Sequence, residues 1–332
     1  MTHLITGAAG FIGSHLANTL HAQGERVVGL DDLSGGFADN LHPDIPLYVR
    51  DILTVDLDDL FALYQVTHVW HLAAYAAEGL SHWVREHNVR SNYQTAARLT
   101  TAAVKHGVEG FYFTSSMAVY GGQEPPFTEA MTPRPEDPYG VAKYAAELDL
   151  HAASRLVGLP VTVFRPHNVY GPGQNIGDPY RNVVGKFMRQ ALEGEPITIF
   201  GDGLQTRAFS YITDITGPMV RAHQEKHYGH TFNIGGETPV TILDLAARVS
   251  ALFDGVPIVH LEERFEVKHA WCDHRNARHL LGFRPHVSFD EGLERMAGWV
   301  RKVGVRRSGT PALEMTRNLP EFWRETSPLP AV

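Results

Sequence analysis

The sequence predicts an α/β fold, a doubly wound parallel sheet over the first half of the chain with a smaller α/β C-terminal lobe attached. Two observations carry this. Up to Pro166 short apolar runs, "HLIT", "RVVGL", "PLYV", "THVWHLA", "GFYFTS" and "VTVFRP", alternate with helix-like stretches. Runs that are apolar throughout are what strands covered on both faces require. Beyond Pro166 the beat stops: residues 166 to 205 are rich in Gly, Pro and Asn around one helical piece, "KFMRQALEG", and one strand-like piece, "PITIFG". The expected division is a sheet domain over residues 1–165 and a second lobe over 166–207 and 237–302. Segments near 208–236, with "FSYITD" and "TFNIGG", and 273–282 return to the sheet domain. An arm rich in Arg and Pro covers 303–332.

Composition narrows the function. The 332 residues are 43% hydrophobic, enough for a large core, and 29 basic against 37 acidic residues give a net charge of -8. That balance offers no overall field for nucleic acid or an anionic membrane. Cys272 is the single cysteine, so an internal disulfide is excluded and a reducing, cytoplasmic location is expected. No apolar run reaches the ~20 residues of a membrane span, and a strand at the start leaves no room for a signal peptide.

The first strand runs into "LITGAAGFIG", with Gly7, Gly10 and Gly13 in the turn and a helix starting near Phe11 and Ile12. Glycine lets backbone approach a pyrophosphate, and a helix N-terminus supplies free N–H groups and partial positive charge. The second strand, "RVVGLDD", ends in Asp31, placed to bind adenosine ribose hydroxyls. A carboxylate there repels a 2'-phosphate, so NAD is expected rather than NADP. The fifth strand ends in the hydroxyls of Ser115 and Ser116, followed by Met117 and Ala118. In "DPYGVAKYAAE", Tyr139 and Lys143 lie four apart on one face of a helix that Pro138 starts. The lysine charge is expected to lower the phenol's pKa and make Tyr139 a base near neutral pH.

With these motifs in this order the chain resembles the extended short-chain dehydrogenase/reductase family, and within it the UDP-glucose 4-epimerase-like nucleotide-sugar epimerases and dehydratases. The resemblance runs from "LITGAAGFIG" to "LLGFRPHVSFDEGL". It implies a Rossmann domain with bound NAD, a lobe for a nucleotide sugar, and a homodimer through helices near residues 92–105 and 138–157. By this likeness Ser116 is the catalytic hydroxyl, Tyr139 the base and Lys143 its partner, and Ser115 supports the turn or the cofactor. Asp51 and Ile52 meet the adenine; Leu72, Ala73 and Ala74 line the cofactor groove, with Asn92 on the helix beneath and Pro166 beside it. Asn168 and Arg207 hold the substrate diphosphate, where a guanidinium offers two parallel donors. Asn182, Val183 and Phe200 form the nucleobase pocket, with plain core packing as the alternative for Phe200. A second family arginine has Arg264 and Lys268 as its nearest candidates. Glu78 orders the hexose, acts as an extra acid or base, or is a solvated loop carboxylate.

The implied chemistry is transient oxidation of a sugar hydroxyl and return of hydride to the other face of the 4-keto sugar. In this family dehydratases carry an acidic pair at Met117 and Ala118, decarboxylases a carboxylate at Ala118, and 3,5-epimerases a cysteine there. Thioether and methyl groups do none of this. The expected reaction is therefore 4-epimerisation, on a UDP-hexose. "HLAAYAAEGLSHW" resembles the GDP-mannose 3,5-epimerases in wording, so another epimerisation, decarboxylation or net dehydrogenation is the enzymatic alternative. An NAD-sensing regulator is the other, against which Ser116, Tyr139 and Lys143 argue. By the resemblance Ala270 matches the position that in UDP-galactose epimerases controls room beside the hexose, so a bulky gate is expected to be absent. Among the 19 histidines, His82/His87 and His269/His274 are five apart, off one helical face, so no metal site is expected.

Overall fold

The computed structural model describes residues 1–264 and 266–326; the end of the expected arm, 327–332, lies outside the described residues. The sheet half of the chain runs β1 (Thr2–Thr6), α1 (Phe11–Ala22), β2 (Arg26–Asp31), β3 (Leu47–Val49), α2 (Leu57–Tyr64), β4 (His68–His71), α3 (Arg85–Val89), α4 (Thr95–Lys105), β5 (Gly110–Thr114), α5 (Pro138–Val157) and β6 (Val161–Pro166). There follow β7 (Val169–Tyr170), α6 (Val183–Leu192), β8 (Ile197–Phe200), β9 (Thr206–Ala208), β10 (Ser210–Tyr211), α7 (Ile212–Gln224) and β11 (Thr231–Ile234). Last come β12 (Pro239–Thr241), α8 (Ile242–Leu252), β13 (Ile258–Leu261), β14 (His269–Ala270), α9 (Arg275–Leu281), α10 (Phe289–Val303) and α11 (Glu321–Thr326).

Seven parallel strands form one sheet in the order β11-β6-β5-β4-β1-β2-β3. The order reverses between β1 and β4, and the crevice beyond their C-terminal ends is where open α/β sheets hold ligands. The predicted α/β class is borne out, and the two faces explain the unbroken apolar runs. Leu4, Val69 and Phe111 pack on one side with Leu60, Leu99 and Leu150. Their neighbours Ile5, Trp70 and Tyr112 pack on the other with Leu16, Leu20 and Met219. Successive residues thus enter opposite cores, as the pleat dictates. A third core joins α6, α8 and α10 around Phe187, Leu245 and Met296.

"FSYITD" is not one strand. Only Ser210 and Tyr211 are extended, and they pair with β7 rather than with the large sheet. From Ile212 the chain is helical because Ile212, Ile215, Met219 and Ala222 recur at helical spacing and are all buried; α7 packs on α1. β11 joins the sheet beside β6, and α9 packs on β11 and α7.

Behind β1 lies a group of buried imidazoles, His3 with His68 at 5.0 Å and His223 at 4.8 Å between ring centroids. Burial, and then the neighbouring imidazoles, push His3 down to about 3, and burial with His223 pushes His68 to about 4. The unfolded chain takes up these protons below about pH 6.5 and the folded one does not, so stability falls as pH drops through this window. His3 alone is expected to remove about 2 kcal/mol at pH 5. Urea unfolding at pH 7 and 5 measures this, and His3→Gln flattens the dependence.

After α10 the chain straps across the molecule. The Arg306 guanidinium sits 3.7 Å from the Phe37 ring centroid and pairs with Asp39. The Glu314 carboxylate accepts from the backbone N–H groups of Glu86 and His87, 2.8 Å each. Trp83 Nε1 donates to Arg317 O at 3.0 Å, and Trp323 is buried with Tyr75, Leu80, Val84 and Tyr180.

Candidate active site

One continuous cavity of about 840 Å³ opens along the C-terminal ends of the sheet strands, a size that suits a ligand enclosed by protein. At one end Gly7, Gly10 and Gly13 turn β1 into α1, whose first residues, Phe11 and Ile12, also face the cavity. A Cβ on Gly13 would lie 2.0 Å from the Gly7 carbonyl oxygen, and Gly7 itself holds φ +68, so the turn tolerates no side chain at either position. Asp31 accepts hydrogen bonds from Ala9 N at 2.9 Å and Leu33 N at 2.8 Å. Burial raises its pKa against those bonds, and the carboxylate keeps lone pairs for hydroxyl donors. Asp51, Ile52, Leu72, Ala73, Ala74 and Pro166 continue the lining. Thr114 Oγ1 and Ser115 Oγ are buried there with no partner among the described residues. A side-chain-free cradle, orphaned hydroxyls and an acid at the β2 end together fit a dinucleotide. Asn92 is the exception: it lies off the lining in a π-turn between α3 and α4, its Nδ2 donating to Asn88 O at 3.1 Å and Tyr75 O at 3.3 Å. Its Oδ1 has no partner among the described residues.

At the waist of the cavity α5 begins. Asp137 caps it, accepting from Gly140 N at 2.9 Å, with Pro138 in the first position. This presents Tyr139 and, one turn on, Lys143. Ser116 Oγ accepts from Ala118 N at 3.1 Å, opening the turn Met117–Tyr120, and the Ser116 hydroxyl lies beside the Tyr139 oxygen, favouring its ionised form. Tyr139 departs from expectation. Burial raises its pKa above the ordinary value, Ser116 draws it down, and the Glu78 and Asp137 carboxylates raise it again. Lys143 does not offset this, because its Nζ donates to Thr114 O at 2.8 Å and rests 4.9 Å from the Phe113 ring centroid. Burial lowers the lysine itself to about 7, with Glu147 opposing.

Met117 packs with Val119, Tyr120, Phe127, Ala270 and Cys272, and neither it nor Ala118 lines the cavity. Ala270 lies in that cluster too, off the cavity lining.

The far end gathers Asn168, Asn182, Val183, Phe200, Arg207 and Arg264. Asn168 donates to Ala208 O at 3.1 Å; Asn182 caps α6, accepting from Val184 N at 2.9 Å. Arg207 donates to the Thr206, Lys268 and Val267 carbonyls at 2.9, 3.1 and 2.5 Å. Of the two candidates for the second arginine, Arg264 lines the cavity and Lys268 does not. Arg264 pairs with Glu266 at 2.8 Å and stacks 4.4 Å from the Phe200 ring centroid. Phe200 thus faces the cavity with Arg264 and Lys186 against its ring. Glu78 also faces the cavity; enclosure by protein, then Asp137, pushes its carboxyl up to about 7.

Among the lining residues that sequence reasoning missed are the charged Asp137, Arg181, Lys186 and Glu266. The "DP" before α5 marks Asp137 as a cap but not as a cavity acid. Lys186 sits inside an otherwise apolar helix face, its Nζ 4.8 Å from the Phe200 ring centroid, and nothing local flags it. His3, Glu25 and His223, and likewise His21, His42 and Asp44, bring possible ligand atoms within 4.8 Å of one another. Both groups lie away from the cavity. Among the described residues no helix is long and apolar enough to cross a membrane.

Residues 3–235 match the model of the NAD dependent epimerase/dehydratase family. The UDP-glucose 4-epimerase of Mycolicibacterium smegmatis is 34% identical, over 91% of this chain and 99% of its own. A UDP-N-acetyl-alpha-D-glucosaminuronate decarboxylase of Bacillus cytotoxicus is 32% identical, over 90% of this chain and 98% of its own. The crystal structure of a UDP-glucuronic acid 4-epimerase from Bacillus cereus, in complex with UDP-glucuronic acid and NAD, superposes with a TM-score of 0.85 at 31% identity, over 91% of this chain and 100% of that one.

Proposed function

We propose, since the chain belongs to the NAD dependent epimerase/dehydratase family and is an NAD-dependent enzyme of the nucleotide-sugar epimerase kind, that it is a 4-epimerase acting on a UDP-hexose. The observation that carries this is the hydroxyl pair Ser116–Tyr139 facing the cavity while Met117 and Ala118 turn away from it. Relatives include both epimerases and a decarboxylase, and it is the residues beside Ser116 that favour epimerisation.

In this reading Asn168 and Arg207 hold the diphosphate, and Asn182, Val183, Phe200 and Arg264 surround the base. Ser116 hydrogen-bonds the reacting sugar oxygen, and Tyr139 takes its proton and gives it back. Lys143 braces the end of β5 through Thr114. NAD+ would supply the hydride acceptor, while burial of Tyr139 by the protein disfavours the phenolate. A homodimer fits the exposed Val141 and Leu148, seven residues apart on α5. A cytoplasmic location completes the reading.

The test is proton NMR of the NAD-loaded enzyme with UDP-, GDP- and dTDP-hexoses. Exchange of axial and equatorial signals at C4 of a UDP-hexose is expected; loss of water or carbon dioxide overturns the reading.

A further inference from the structure

Glu78 is fixed by its backbone and free at its tip. Its carbonyl accepts from Ser81 Oγ at 2.7 Å and Ser81 N at 3.2 Å. The next residue, Gly79, lies under Trp323, whose ring a Cβ there would approach to 3.2 Å. The carboxylate, by contrast, faces the cavity and has no hydrogen bond or ion pair with a described residue. A carboxylate that faces the cavity and has no partner among the described residues keeps all its acceptor capacity for a ligand there.

Its position follows from what it acts on. It lines the same cavity as Tyr139, Arg207, Arg264 and Glu266, and its charge acts on the Tyr139 phenol on one side and on the arginine end on the other. Tyr139 marks the reacting carbon and Arg207 the diphosphate, so Glu78 stands where the sugar ring must lie. Asp137, at the start of α5, adds a second carboxylate within its field, bound to Gly140 N and Ser81 Oγ rather than to a described cation. The described cations at this end already have partners. Arg207 is held by three carbonyls, Arg264 by Glu266 and Arg181 by Asp178.

We propose that Glu78 selects the sugar: it hydrogen-bonds the hydroxyls of an uncharged hexose and rejects a sugar that carries its own carboxylate. This rests on the nucleotide-sugar reading above and narrows its substrate class. It separates this chain from the Bacillus cereus neighbour, whose crystal structure holds UDP-glucuronic acid. A second carboxylate beside Glu78 and Asp137 would meet like charge from two groups, neither of which is ion-paired with a described cation.

The experiment compares UDP-glucose with UDP-glucuronate, by equilibrium binding and by kcat/KM, on NAD-loaded wild type and Glu78→Gln. Wild type is expected to favour UDP-glucose by about 100-fold, and the variant to reduce that ratio to about 10-fold or less. The change should come mainly from tighter uronate binding, with NAD content and melting temperature unchanged. Equal binding of the two sugars by wild type, or an unaltered ratio in the variant, overturns the proposal even if C4 epimerisation is seen. Discrimination that disappears in the variant upholds it even if the product is not the C4 epimer, in which case the epimerase reading alone falls.

Discussion

Replacing Tyr139 by Phe is expected to lower kcat by about 10²- to 10⁴-fold, the usual contribution of a positioned acid-base group, while NAD stays bound. The ring packs as before, at 7% exposure, and only the oxygen shared with Ser116 is lost. The cofactor end depends on the glycine turn and Asp31, neither of which touches that oxygen. NAD released on denaturation should therefore match wild type, and KM should move far less than kcat. Turnover near the wild-type rate would remove Tyr139 as the base.

Glu147→Ala is expected to destabilise the fold by about 3–5 kcal/mol, a large part of the ~5–15 kcal/mol that holds a domain together. The carboxylate binds Arg165 through two bonds, of 2.9 and 2.5 Å, with both side chains almost wholly buried. Alanine leaves the guanidinium in the core without its counter-charge, and that desolvated cation is the source of the cost. Activity should also suffer. Arg165 donates to Tyr120 Oη at 2.8 Å, which donates on to Asn233 Oδ1 at 2.8 Å, and Tyr120 closes the turn that Ser116 opens. Urea titration reads the stability loss. A change below about 1 kcal/mol, the scale of an exposed pair, would show that the pair is not buried in solution.

How much of this the sequence carries depends on whether the cause is local. β1 to β6 are legible because a strand covered on both faces must be apolar at every position, as Leu4 with Ile5 and Phe111 with Tyr112 illustrate. The start of α5 is legible because "DP" is a cap followed by a residue already set in helical φ. The split of "FSYITD" is not, since two extended residues run straight into a helix whose buried spacing emerges only further along. The charge state of Tyr139 is not legible either: four-residue spacing brings Lys143 onto the same face, but burial and the Thr114 carbonyl decide where its ammonium points. Arg181 and Lys186 escape for the same reason. Their place in the cavity comes from tertiary packing, which leaves no mark on the residues beside them.

The strap that ends in Trp323 sets an order of events. It leaves the ribosome after every other described residue of the site, when the seven strands, the glycine turn and α5 are already available to fold. Only when it docks on Trp83, Tyr75 and Gly79 does the loop bearing Glu78 gain its outer support. The sheet and the loop bearing Glu78 therefore draw their support from different parts of the chain, the loop from a segment far along it in sequence.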